Sequence, residues 1–163
     1  MVQLICCLAI AAIAAVDQLI KVAVLNSSLV NGDILTVIPG VLQFRYVENT
    51  GAAFSMFSDH TALLSVFTAV VLLAGFYLIL SKKIKSSIVL VSITMLMGGG
   101  LGNLIDRVFR HFVVDYIEVI FVDFAVFNFA DCFVTVGEFI LVGYLLYDIV
   151  KDFKKAGKKA DGE

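Results

Sequence analysis

The sequence predicts an α-helical integral membrane protein: four transmembrane helices and a small β-cradle on the outer face. Three observations lead there. First, 61% of the 163 residues are hydrophobic and only 16% are charged, with a mean hydropathy of +1.01. Soluble domains average about 45–50% apolar and roughly 25% charged. Second, four apolar runs are each long enough, at about 1.5 Å per residue, to cross a ~30 Å hydrocarbon layer. Third, one long polar interval, residues 26–60, carries turn signals and β-branched stretches instead of helical periodicity. The length suits a single domain over 1–163. A net charge of -2 with no basic-aromatic patch argues against nucleic acid.

The first run, about 4–25, is Ala-rich but lacks the basic start of a cleavable signal peptide. It contains Asp17, Gln18 and Lys21. Asp17 and Lys21 stand at i, i+4, so they share a helix face and can neutralise each other. The expected role is a structural ion pair tying this helix to the polar loop after it. Residues 26–60 follow, with turns at Asn31-Gly32-Asp33 and Pro39-Gly40. ILTVI and VLQFRYV read as strands. The interval ends in Glu48, Asn49 and Gly51-Ala52-Ala53, where small residues permit close backbone approach. A second span is expected over 61–80, without a single charge, then the loop SKKIKSS. The third span, 88–105, carries Gly98, Gly99, Gly100 and Gly102, which suit close helix packing in lipid. No strand precedes them and no phosphate-binding Lys follows, so a P-loop is excluded.

Residues 106–130 form an outer segment that mixes Asp115, Glu118 and Asp123 with apolar residues, part of it expected as an amphipathic stretch along the membrane surface. The fourth span is expected over 131–150, where Asn128 and Asp131 at i, i+3 allow a cap. The tail, 151–163, holds five Lys. Lys-rich 81–87 and the tail, against a lone Arg45 in 26–60, put both termini in the cytoplasm. Arg107 and Arg110 then lie on the outer side against that bias, and pairing with Asp106 explains them.

Which chemistry do these residues allow? Cys6, Cys7 and Cys132 form no CxxC or His-Cys cluster, so they read as small apolar residues, and neither metal nor cofactor is expected. His60 and His111 lie in or beside loops and offer no Ser-His pair. What remains is acids at the ends of apolar segments, concentrated between Gly102 and Asp131. Ionisable groups there are functional candidates because burying them requires a partner or water. Two adjoining carboxyls share a proton, so one can activate water while the other polarises a carbonyl.

Five motifs carry a resemblance: Asp17-Gln18 with Lys21, NTGAAFS from Asn49 to Ser55, GNLIDR from Gly102 to Arg107, VVDY from Val113 to Tyr116, and FNFAD from Phe127 to Asp131. In this order they resemble lipoprotein signal peptidase, the bacterial type II signal peptidase, over nearly the whole chain. The resemblance implies a multi-pass aspartic endopeptidase of the cytoplasmic (inner) membrane, its active site near the outer face. It would cleave diacylglyceryl-modified prolipoproteins just before the lipid-bearing cysteine, as a monomer among membrane lipid, and be blocked by globomycin. Carried over, the catalytic pair falls on Asp115 and Asp131. Asn128 would orient it, and Asn49, Asn103 and Arg107 would contact substrate or support the pocket, with Asp17, Lys21 and Asp106 as further support. Asp106 is the rival acid, read as an ion-pair partner of the neighbouring arginines. Tyr116 stands where the family usually has Phe, and Glu138 lies outside the family pattern. The cradle and residues 108–127 are expected to close over bound peptide.

Two other classes compete. A four-span transporter would use the acids as a relay, which leaves their clustering at one face unexplained. Intramembrane aspartic proteases of the prepilin peptidase or presenilin kind resemble one another in a GxGD-type motif, absent here: Asp106 follows NLI and Asp131 follows NFA. Globomycin sensitivity separates the transporter from the peptidase.

Overall fold

The computed structural model describes residues 1–51 and 61–160. Among the described residues, four helices are long and apolar enough to span a membrane: α1 (Val2–Leu25), α2 (Thr61–Leu80), α3 (Ser87–Phe109) and α4 (Phe129–Ala160). Three strands, β1 (Ile34–Ile38), β2 (Leu42–Asn49) and β3 (Val113–Val119), form one antiparallel sheet in the order β1-β2-β3. The Ala52-Ala53 pair, Ser55 and His60 lie outside the described residues.

α3 is the central helix and packs on α1, α2 and α4. Its glycines are what let the helices approach. A Cβ built at Gly102 would stand 2.5 Å from Asp17 Oδ2, and one at Gly99 would run into the backbone carbonyl of Ala130. The first glycine opens space for a carboxylate, the second for a helix start. An apolar layer formed by Cys6, Ile10, Leu72, Ile79 and Met97 joins α1, α2 and α3 away from the sheet. Outward faces carry Leu8, Leu19, Phe67, Leu73 and Phe139, all largely exposed. Apolar side chains in that position are at home against lipid, where the same surface in water would aggregate.

Three elements differ from the sequence expectation. Residues 113–119, expected within a surface segment, form the third strand of the sheet. VVDYIEV alternates, and its two faces have different neighbours: Val114 and Tyr116 pack on Val24 and Leu29 at the end of α1, while Val113 and Asp115 face a cavity. α3 runs to Phe109, past the expected 105, because the Arg107 and Arg110 side chains find partners there. α4 continues to Ala160, through most of the tail read as separate.

Ser86 caps α3, its hydroxyl accepting from Val89 N. At α4 the cap is reciprocal. Asn128 Oδ1 accepts from Asp131 N at 3.0 Å, and Asp131 Oδ2 accepts from Asn128 N at 3.1 Å. That is a capping box with an amide and an acid in the two roles, and it fixes Asp131 in the first turn.

Candidate active site

Asp115 lies on β3 with 1% of its surface exposed. Its Oδ1 accepts from Asn128 Nδ2 at 2.6 Å and its Oδ2 from Asn49 Nδ2 at 2.8 Å. The second contact follows from strand register. Val47 sits opposite Asp115 and Asn49 opposite Val113, so Asn49 is the diagonal neighbour of Asp115 on the same face. An irregularity between Phe44 and Val47 inserts one extra β2 residue against β3. Without it, residues of the other parity would face Asp115, so the bulge aims Asn49. Asn49 Oδ1 in turn accepts from Gly51 N at 2.9 Å, which orients the amide.

Asp131 is held the same way. Oδ1 accepts from Asn103 Nδ2 at 2.7 Å and Oδ2 from the capping N–H. Every carboxyl oxygen of the two acids thus receives an amide N–H, and Asn128 serves both, side chain to Asp115 and backbone to Asp131. Both acids line one cavity of about 540 Å³. Its walls are α4 and the Phe124–Phe127 segment, with Asn49, Asn103 and Arg107 at the acidic end. Burial pushes the Asp115 carboxyl up to about 7, and the charge of Asp131 adds to the effect.

Behind the two acids lies a buried charge cluster. Lys21, Asp17 and Asp106 are all fully buried. Lys21 Nζ reaches Asp17 Oδ2 at 2.9 Å, Asp106 Oδ2 at 2.8 Å and Asn103 Oδ1 at 2.9 Å, one acceptor for each of its three protons. Asp106 also pairs with Arg110 and accepts from Gln18 Nε2 at 3.0 Å and Val114 N at 3.0 Å. Asp17 Oδ1 accepts from Ala130 N at 3.1 Å, at the positive end of α4. Two acids and two bases therefore neutralise one another and clamp α1, α3, β3 and α4 together.

The Asp17–Lys21 pair ties α1 to α3 and α4, where the sequence suggested the following loop. Asp106 pairs with Arg110 and Lys21, not with adjacent Arg107, whose Nη2 donates to Gly51 O at 3.1 Å. Arg107 Nε is buried without a partner among the described residues. Three contacts of the site were not foreseen in the sequence. Gln18 bridges α1 to α3 by donating to Gly102 O at 3.0 Å. Gly51 supplies its carbonyl to Arg107. Asn103 is the relay between Lys21 and both acids, since Asn128 Nδ2 also donates to its Oδ1 at 3.2 Å. The GNLIDR resemblance had marked Asn103 as a supporting residue, but its link to Lys21 had no sign in the sequence.

Residues 9–147 match the family model described as signal peptidase (SPase) II. The chain belongs to the signal peptidase II family. Relatives include the lipoprotein signal peptidase of Streptococcus thermophilus strain CNRZ 1066, 36% identical over 134 residues, covering 82% of this chain and 87% of that one. That of Lactobacillus johnsonii strain CNCM I-12250 / La1 / NCC 533 is 34% identical over 136 residues, with 83% and 88% covered. A solved structure described as a bacterial membrane enzyme superposes with a TM-score of 0.80 at 32% identity over 88% of each chain. This member of the family brings Asp115 from β3 and Asp131 from the start of α4 to the lining of one cavity.

Proposed function

We propose that this protein removes the signal peptide from diacylglyceryl-modified prolipoproteins by an aspartic mechanism, cleaving just before the lipid-bearing cysteine. The observation that carries the reading is two carboxyls at one end of a single cavity, both bonded to Asn128. Two carboxyls that share Asn128 and one cavity cannot both ionise cheaply, so the pair holds one proton. The ionised member takes a proton from water as it attacks the scissile carbonyl; the protonated member hydrogen-bonds the carbonyl oxygen as charge develops there. The proton then passes to the departing amine. The four amide donors hold both carboxyls in place throughout, so little reorganisation is needed.

Arg107 lines the same cavity, where its guanidinium would contact the substrate backbone. The Lys-rich 81–87 loop supports an orientation with both termini in the cytoplasm and the acids near the outer face of the inner membrane. Substrate then enters sideways from the bilayer, its acyl chains remaining in lipid, and the enzyme acts as a single chain because both acids come from one chain. The cradle and the 108–127 passage close over the peptide during turnover.

The test is to incubate purified protein with one prolipoprotein in diacylglyceryl-modified and unmodified forms and to weigh the products. The expected product begins at the modified cysteine, forms only from the modified substrate, and is lost with globomycin. Equal cleavage of the unmodified form, or a cut elsewhere, contradicts the proposal.

A further inference from the structure

Below Asp131 on α4, Thr135 and Glu138 follow at i+4 and i+7, so the three share one stripe of the helix and all line the cavity. Glu138 is about 10.5 Å from Asp131 along the axis, at about 1.5 Å per residue. It is exposed and makes no hydrogen bond or ion pair with any described residue. The cavity's donors gather at the other end: Asn49 gives its Nδ2 to Asp115, Asn103 to Asp131, and Arg107 its Nη2 to Gly51. Between the ends the lining is mostly Val and Phe.

A carboxyl group in an apolar span is unfavourable unless its occupant or water supplies a donor. We infer that Glu138 is a specificity-determining residue that accepts a hydrogen bond from a hydroxyl or amine side chain on the signal-peptide side of the scissile bond. This rests on the peptidase reading above. The placement follows from geometry, because the signal peptide must run from the cleaved bond toward the membrane interior. A span of about 10.5 Å corresponds to three residues if the peptide is extended or seven if helical. An acyl chain offers no donor and would leave the carboxyl unmatched.

The experiment compares diacylglyceryl-modified prolipoproteins carrying Thr or Val at each position three to seven residues before the cut. Wild type, Glu138→Leu and Glu138→Gln are assayed for kcat/KM, with thermal melts to verify folding. Wild type is expected to favour Thr over Val at one position by about tenfold, the size of one hydrogen bond to a carboxylate. Glu138→Leu should erase that ratio while Val substrates turn over as before, and Glu138→Gln should keep part of it through its amide oxygen. A ratio equal in wild type and Glu138→Leu at every position overturns the inference. So does equal loss for Thr and Val substrates, which would assign Glu138 to hydration of the cleft. If wild type cleaves none of them, the peptidase reading falls and takes this inference with it; intact cleavage with a flat ratio removes this inference alone.

Discussion

Asp131→Asn and Asp115→Asn are each expected to reduce cleavage of a lipid-modified prolipoprotein by about 10³-fold or more, the scale of lost acid–base catalysis. Each change keeps the shape of the side chain and removes the group that gains and loses the proton. Neither change is silent structurally. Both oxygens of Asp115 accept N–H donors whose own orientations are fixed, Asn49 by Gly51 and Asn128 by Asp131. An amide at 115 must therefore turn its NH₂ toward one of these donors, a mismatch worth about 1–3 kcal/mol. Relief of a buried charge works in the other direction. A carboxyl raised from 3.8 to about 7 stabilises the fold fully below the lower value and loses that contribution as pH rises through the higher one. The Asp115→Asn melting curve should accordingly be flatter between about pH 4 and pH 7 than that of wild type. Asp106→Asn is the informative control, because Asp106 lies on the far side of Lys21 and outside the cavity lining. Folded Asp106→Asn that retains measurable turnover separates ion pairing from chemistry.

Lys21→Met should be the most damaging single change to the fold. It leaves Asp17 with no cation and Asp106 with Arg110 alone, both in sites closed to water. Removing one partner of a buried ion pair costs about 3–5 kcal/mol, since the stranded charge keeps its desolvation penalty. For a chain of this size that corresponds to a melting shift on the order of 10 °C in detergent. The double change Lys21→Met with Asp17→Asn should recover part of the loss, because it removes the stranded charge along with the lost cation. A melting point for Lys21→Met within a degree or two of wild type would show that the cluster does not hold the helices together. Activity should fall as well, through Asn103, which loses one of its two partners on Oδ1 and with it some of its grip on Asp131.

Much of this arrangement is legible in sequence because it depends on spacing within one element. Hydropathy alone marks the four spans, the i, i+4 rule pairs Asp17 with Lys21, and the i, i+3 spacing of Asn128 and Asp131 forecasts the cap. What escaped depends on contacts between distant elements. VVDYIEV alternates, yet it is apolar enough to pass for an interfacial segment, and only pairing with β2 makes it a strand. The bulge that aims Asn49 has no signature outside the pairing register. Arg107 and Arg110 look equivalent beside Asp106, but on a helix only the i, i+4 residue shares its face, so Arg107 turns toward the cavity and Gly51. Lys21 gave no sign that its third proton would reach Asn103, 82 residues away.

The central claim, one proton shared by Asp115 and Asp131, is tested most directly by the pH dependence of kcat/KM for a diacylglyceryl-modified prolipoprotein. The pair titrates as a unit, so the profile reports its macroscopic steps. A bell is expected: activity falls at low pH as the second carboxyl gains a proton and the base is lost. It falls again above about pH 7, where burial no longer holds the shared proton. A rate that climbs through pH 7 to a plateau in alkaline solution would mean that a single base works without a protonated partner, and would contradict the shared proton.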